Sequence, residues 1–211
     1  MKISQADKSA EKETGRLEAF SDGVFAIAMT LLVLELRVPH LAAVGGAVTG
    51  RALAAALAKE WPGYFAFVSS FFTILVMWVH HHNLFRLVRR ADARLLFANG
   101  LLLLLVTAVP FPTAVIAEYL LTPAAKTACA VYGGVFVLIA LAFQIVLRSA
   151  SRPGIVSPDA PEQILRRFRQ SYKLGPIFYL ISTLAALINS WLSMAIFTAL
   201  WIFWALNASF E

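Results

Sequence analysis

The residues best equipped for chemistry sit at the ends of two apolar runs. Asp22 follows Phe20 and Ser21 at the head of the first run, Ala19 to Leu36, while Trp78, His80, His81 and His82 close the second. A carboxylate inside hydrocarbon costs at least about 2.5 kcal/mol, so Asp22 must be paired, protonated or near water. The spacing i, i+3, i+4, i+7 puts Trp78, His81, His82 and Phe85 on one helical face and points His80 elsewhere. If one helix starts on the side where the other ends, Ser21 and Asp22 share a depth with His81 and His82. A carboxylate–imidazole pair would then satisfy both groups. Three consecutive histidines cannot all ligate one ion from one helix, so no metal site is assigned, and an intramembrane metal enzyme is the weakest reading. Nothing resembles a nucleophile elbow or a phosphate loop, and the chain is not read as an enzyme. Two readings stay open: a buried hydrogen-bond network of Ser21, Asp22, Trp78, His81, His82 and Asn99 that locks helices together, or a proton relay.

The same first helix has a contrasting front. At 100° per residue, Phe20, Val24, Ile27, Thr30, Leu31 and Leu34 fall on one side, with Ser21, Asp22, Phe25 and Met29 behind. An aliphatic stripe of this kind more often packs than functions.

The elements that must position these groups follow from hydropathy. The 211 residues are 60% hydrophobic and 14% charged, too apolar for an ordinary soluble fold and rich enough for about six crossings of some 20 residues each. The expected crossings are Ala19–Leu36, Leu53–His81 with Pro62 as entrance or kink, Leu95–Ile116 bent near Pro110 and Pro112, Pro123–Leu147, Leu174–Ile188 and Trp191–Leu206. A loop with Pro39, Gly45, Gly46 and Gly50 joins the first two, and Asn189-Ser190 is the expected turn between the last two. Gly133 and Gly134 offer a small-residue surface for close helix approach. Residues 1–15 read as a polar cytoplasmic tail, disordered or helical.

The net charge of +6 does not indicate nucleic acid, because the basic residues flank the apolar runs as headgroup and orientation anchors. With six crossings, one side carries 14 Lys and Arg and the other 4, which places both termini in the cytoplasm. Cys129 is the lone cysteine, so there is no disulfide framework.

Three separated motifs then resemble the transmembrane protein 175 family of lysosomal and prokaryotic potassium channels. They are Arg16-x-x-x-Phe20-Ser21-Asp22; Trp78, His81, His82, Leu84 and Phe85; and Asn99 with a leucine run and Pro110-Phe111-Pro112-Thr113. They cover roughly the first 120 residues; the remainder agrees in hydropathy. The resemblance implies an all-α membrane protein with six transmembrane helices per protomer in residues 16–211, whose first helix lines the central pore of a homotetramer. It implies a passive potassium-preferring cation channel in the bacterial cytoplasmic membrane, permeated by potassium and other monovalent cations, with no cofactor. By similarity Ile27 forms the narrow hydrophobic constriction, Leu31 and Leu34 continue it, and Thr30 touches permeating ions. Arg16, Phe20, Ser21 and Asp22 become the scaffold that holds the first helix on the second and third. His80 and Asn83 depart from the residues expected there. The alternative from another class is a proton-coupled secondary transporter, or a proton leak, using Asp22 with His81 and His82; it would be expected to show an inverted repeat, and none is apparent.

Overall fold

The computed structural model describes residues 5–41 and 49–207 and is, over those residues, helical throughout apart from one isolated backbone bridge. Gly45, Gly46, residues 1–4 of the expected tail and the last four residues lie outside the described residues. The elements are α1 (Gln5–Leu31), continued by a 3₁₀ turn over Leu32–Glu35, then α2 (Gly50–Lys59), α3 (Trp61–Phe85), α4 (Ala93–Thr107), α5 (Pro110–Tyr119), α6 (Ala125–Ala150), α7 (Glu162–Ile188) and α8 (Ser190–Leu206). By length and composition four segments suffice to cross a membrane: Glu13–Glu35, Trp61–Phe85, Ala93–Tyr119 and Ala125–Ala150. Tyr172–Ile188 and Ser190–Leu206 are shorter apolar helices. The protein is an all-helical membrane protein.

Boundaries follow local chemistry. The run expected from Leu53 to His81 divides at Glu60, and Pro62 stands in the first turn of α3, where its missing N–H costs nothing. The short α2 before it is capped by Thr49, whose Oγ1 accepts from the Ala52 amide at 3.2 Å. The third run divides too: around Ala108 and Val109 the backbone tightens to i→i−3 bonds before Pro110 opens α5. The largest departure is α7, which begins at Glu162, twelve residues before the expected start. Pro176 lies inside it and cannot donate to the carbonyl of Tyr172 one turn back. The Gln144 amide of α6 takes that place, donating to Tyr172 O at 3.0 Å.

α6 and α7 pack closely, as do α7 and α8. A Cβ on Gly133 would lie 3.2 Å from the Thr183 Cα, whereas one on Gly134 would meet open space, so only Gly133 permits the approach. Asn189 bends the chain between α7 and α8, and its Oδ1 caps α8 through the Trp191 and Leu192 amides. Ser182 and Ser193 then clasp the pair reciprocally, each hydroxyl donating to the other's carbonyl at 2.9 and 2.8 Å. Tyr132, Phe136, Tyr179 and Phe197 fill the space between α6, α7 and α8 with rings 4.6 to 6.0 Å apart. At the polar end, the loop after α3 meets the loop after α6: the Arg89 amide donates to Ile155 O and the Ser157 amide to Leu87 O, around the Val88–Val156 bridge. Asp92 caps α4 through the Leu95 amide and receives both of its carboxylate contacts from Arg152, at 2.7 and 2.6 Å.

Candidate functional site

α1 rests on α3 and α4 along a stripe of buried residues, Thr14, Leu17, Ser21, Phe25, Ala28 and Leu32, spaced three or four apart. Its opposite side is open. Phe20, Ile27, Leu31 and Leu34 are 63, 57, 39 and 73% exposed, and Thr30 is exposed with them, its Oγ1 donating to Ile27 O at 2.8 Å. Of the four long spans, α1 is the least covered by its own protomer, 28% buried against 39 to 44% for the others. Leu34 lies beyond the α-helix in the 3₁₀ turn, so its position on the open side does not come from a 100° step.

Behind that open side runs a directed chain of hydrogen bonds. Ser21 Oγ donates to Leu17 O at 2.8 Å, so its lone pairs receive the Asn99 amide, also at 2.8 Å. Asn99 Oδ1 in turn accepts from His81 Nε2 at 2.8 Å, which fixes the proton of the neutral imidazole on Nε2. The fully buried His81 ring is held between Phe25 and Phe85, at 5.3 and 4.1 Å. The chain passes from α3 through α4 to α1 and ends on a backbone carbonyl.

Asp22 does not meet a histidine. Trp78 Nε1 donates to its Oδ1 at 2.8 Å. The imidazole that does meet a carboxylate is His82, whose Nδ1 lies 2.9 Å from Glu18 Oε1. These two pairs are one register: Glu18 and Asp22 are one turn apart on α1, Trp78 and His82 one turn apart on α3, and antiparallel neighbours match the first with the last. Glu18 escaped the sequence reading, although its i−4 position to Asp22 carried the signal. Arg16 and Phe20, expected in the scaffold, are both exposed, and the structure brings neither into the buried chain.

Two further polar sites were not anticipated. His80, on the other side of α3, donates through Nε2 to Trp204 O at 3.2 Å, close to the end of α8, and its ring lies edge-on to Tyr172 and Trp204. The substitution noted in the sequence thus joins α3 to α8. Ser70 Oγ sits 2.7 Å from Thr113 Oγ1 and 2.9 Å from the Tyr132 hydroxyl. Because Thr113 donates to Val109 O, the proton order runs from Tyr132 through Ser70 to Thr113, tying α6, α3 and α5. Among the described residues no group of three His, Cys, Asp or Glu is placed to hold a metal ion.

The family model described as endosomal/lysosomal potassium channel TMEM175 matches residues 16–110, from within α1 through the end of α4. A Chamaesiphon minutus protein named as a potassium channel is 44% identical over 200 residues, covering 94% of this chain and 97% of its own. The chain belongs to the TMEM175 family. A Streptomyces collinus protein, also named as a potassium channel, is 42% identical over 197 residues, with 92% and 93% covered. The crystal structure of a lysosomal potassium-selective channel TMEM175 homolog from Chamaesiphon minutus superposes with a TM-score of 0.84 at 44% identity, covering 94% of this chain and 99% of that one. TMEM175 membership extends over the C-terminal helices too, where the motifs were silent.

Proposed function

We propose that this TMEM175 family member is a passive, potassium-preferring cation channel. Four copies assemble around an axis in the bacterial cytoplasmic membrane, each with six crossings and both termini cytoplasmic; residues 1–15 are a tail and 16–211 the channel domain. α1 of each copy lines the shared pore, with Ile27, Leu31 and Leu34 as a hydrophobic constriction and Thr30 as a contact for permeating ions. The likeness to relatives named as potassium channels supports the ion. The observation that carries the pore is the two-sided α1: its back is fixed by directional bonds while its aliphatic front is left uncovered.

Such a constriction gates by wetting. Narrow, it expels water and blocks ions; slightly wider, it hydrates and conducts. No ring of carbonyls or carboxylates replaces the hydration shell in this reading, so selectivity rests on ease of dehydration and is modest. Ser21 donates to the Leu17 carbonyl and His81 Nε2 to Asn99, so the chain ends on a backbone acceptor that passes no proton onward, which supports a scaffold over a proton relay. In liposomes, Ile27→Asn is expected to raise potassium flux and reduce discrimination against sodium; unchanged permeation would remove Ile27 from the gate. The mass of the detergent-solubilised particle supplies the second check, because a monomer would leave no shared axis.

A further inference from the structure

A second, unrelated site lies between the polar ends of α6 and α7. There Gln144, Leu147, Arg148, Ser151, Arg169 and Lys173 enclose a cleft of about 180 Å³. Three cations border it and no carboxylate does. Of the acids between α6 and α7, Glu162 is 2.8 Å from Arg166 and Asp159 does not line the cleft, and Asp92, before α4, holds Arg152. The Ser151 hydroxyl oxygen is buried without a hydrogen-bond partner, so a donor stands available in the wall. Helix ends of this kind ordinarily repel anions through their bare carbonyls. Here Gln144 covers Tyr172 O, the carbonyl that Pro176 leaves open, and Arg169 Nη2 approaches Ser151 O at 3.4 Å. The wall is therefore basic with its nearest acceptors already bonded.

The surface beyond the cleft identifies the source of the anion. Leu141 and Ile145 lead along α6 to Arg148, and Ile181 and Ile177 lead along α7 to Lys173, all four exposed and spaced by turns. A free phosphate gains nothing from these apolar columns, whereas a lipid places its headgroup among the cations and its chains along the helices. We infer that the cleft formed by Arg148, Ser151, Arg169 and Lys173 binds the phosphate headgroup of an anionic phospholipid from the leaflet at that end of the helices. Basic pockets between transmembrane helices commonly take such headgroups. The site stands independently of the pore reading.

The test uses the full chain in detergent, mixed with equal amounts of dioleoyl phosphatidylglycerol and dioleoyl phosphatidylcholine, with retained lipid counted by native mass spectrometry. The protein is expected to retain the glycerol lipid preferentially. Combined Arg148→Gln, Arg169→Gln and Lys173→Gln should weaken retention on the order of 100-fold. Arg86→Gln, Arg90→Gln and Arg94→Gln together remove the same charge elsewhere on that side and should leave it nearly unchanged. Should the first triple variant fail to fold, Lys173→Gln alone is expected to give about fivefold. Equal retention of the two lipids, an equal loss in the control variant, or displacement of the lipid by inorganic phosphate would each overturn the assignment, the last by making the site one for soluble anions.

Discussion

The two ends of the chain hold their helices by opposite means. α1 is fixed by a few directional bonds, Asn99 donating to Ser21 and Trp78 to Asp22, with the close Glu18–His82 contact beside them and a narrow buried stripe between. α6, α7 and α8 are fixed by area, through stacked rings and a glycine that lets two backbones approach. Polar bonds set rotation and depth with little covered surface, which suits a helix whose other side is left open. Aromatic packing covers far more surface and tolerates local slippage, which suits helices that face one another and lipid. In a membrane, where water does not drive helices together, these are the two available kinds of adhesion.

The comparison breaks most sharply at Asn99. Asn99→Leu deletes the group that both donates to Ser21 and accepts from His81, leaving the buried His81 Nε2 without its acceptor and Ser21 with only its bond to Leu17 O. The expected cost is about 1.5–4.5 kcal/mol, 1–3 for the orphaned imidazole and 0.5–1.5 for the bond lost at Ser21, read as lost thermal stability and a poorer yield of monodisperse particle. A variant as stable as the parent would show that α1 is held by its apolar stripe instead. Asp22→Asn should do less, because an amide oxygen still accepts from Trp78. If a well-folded Asp22→Asn particle lost proton flux alone, the polar back of α1 would be a relay.

Packing fails more gently. Gly133→Leu forces side-chain atoms onto the Thr183 backbone, and overpacking of this sort costs about 1–3 kcal/mol. The same change at Gly134, which faces open space, should cost nothing and can add up to about 1 kcal/mol of stability, because leucine forms helix better than glycine. Thermal melts of the two variants side by side sharpen the contrast, since only the first acts on the α6–α7 contact. Equal losses would mean that the close approach contributes nothing.

The sequence made the first region legible for a physical reason. A carboxylate in an apolar run demands a partner, and histidines at i, i+3 spacing from a tryptophan supply a face, so Ser21, Asp22, Trp78, His81, His82 and Asn99 stood out as one cluster. Which donor met which acceptor was not legible: the Asp22–imidazole pair expected from depth gave way to Trp78, and Glu18 took His82, because a one-turn register decides pairing and hydropathy does not carry register. The polar extension of α7 was hidden by its charge, although Ile164, Leu165, Phe168 and Tyr172 recur there at helical spacing. A proline inside a helix leaves a carbonyl open, and the group that covers it at Pro176, Gln144, lies on another helix where no local pattern reveals it. The Ser70–Thr113–Tyr132 link was invisible for the same reason: its members are ordinary residues 19 to 62 positions apart.

Besides the His80–Trp204 and Ser70–Tyr132 links, the two regions are joined at the polar end, and failure there should be the smallest and the most dependent on pH. Asp92 caps α4, which carries Asn99, and grips Arg152 beyond α6. The Leu95 amide first, then Arg152, hold its carboxyl below the ordinary 3.8. A depressed value means that the carboxylate's stabilisation is complete above about 3.8 and disappears as pH falls through the lower folded value. Between pH 7 and 5 the clasp therefore contributes no pH dependence, and loss begins only in stronger acid. Arg152→Gln removes one of these causes and leaves the Leu95 amide and the nearby Arg94 charge, so its midpoint for acid unfolding should move up, by a fraction of a unit for a partly exposed pair screened by solvent and salt. The Leu95 bond survives in that variant, which keeps α4 capped and leaves the Asn99 chain in register. Hydrogen exchange at the Arg89 and Ser157 amides separates the consequences: faster exchange there with unchanged protection around Asn99 would show that the loops part while α1 stays locked. Loosening at both would mean that the polar lock and the packed helices stand or fall together.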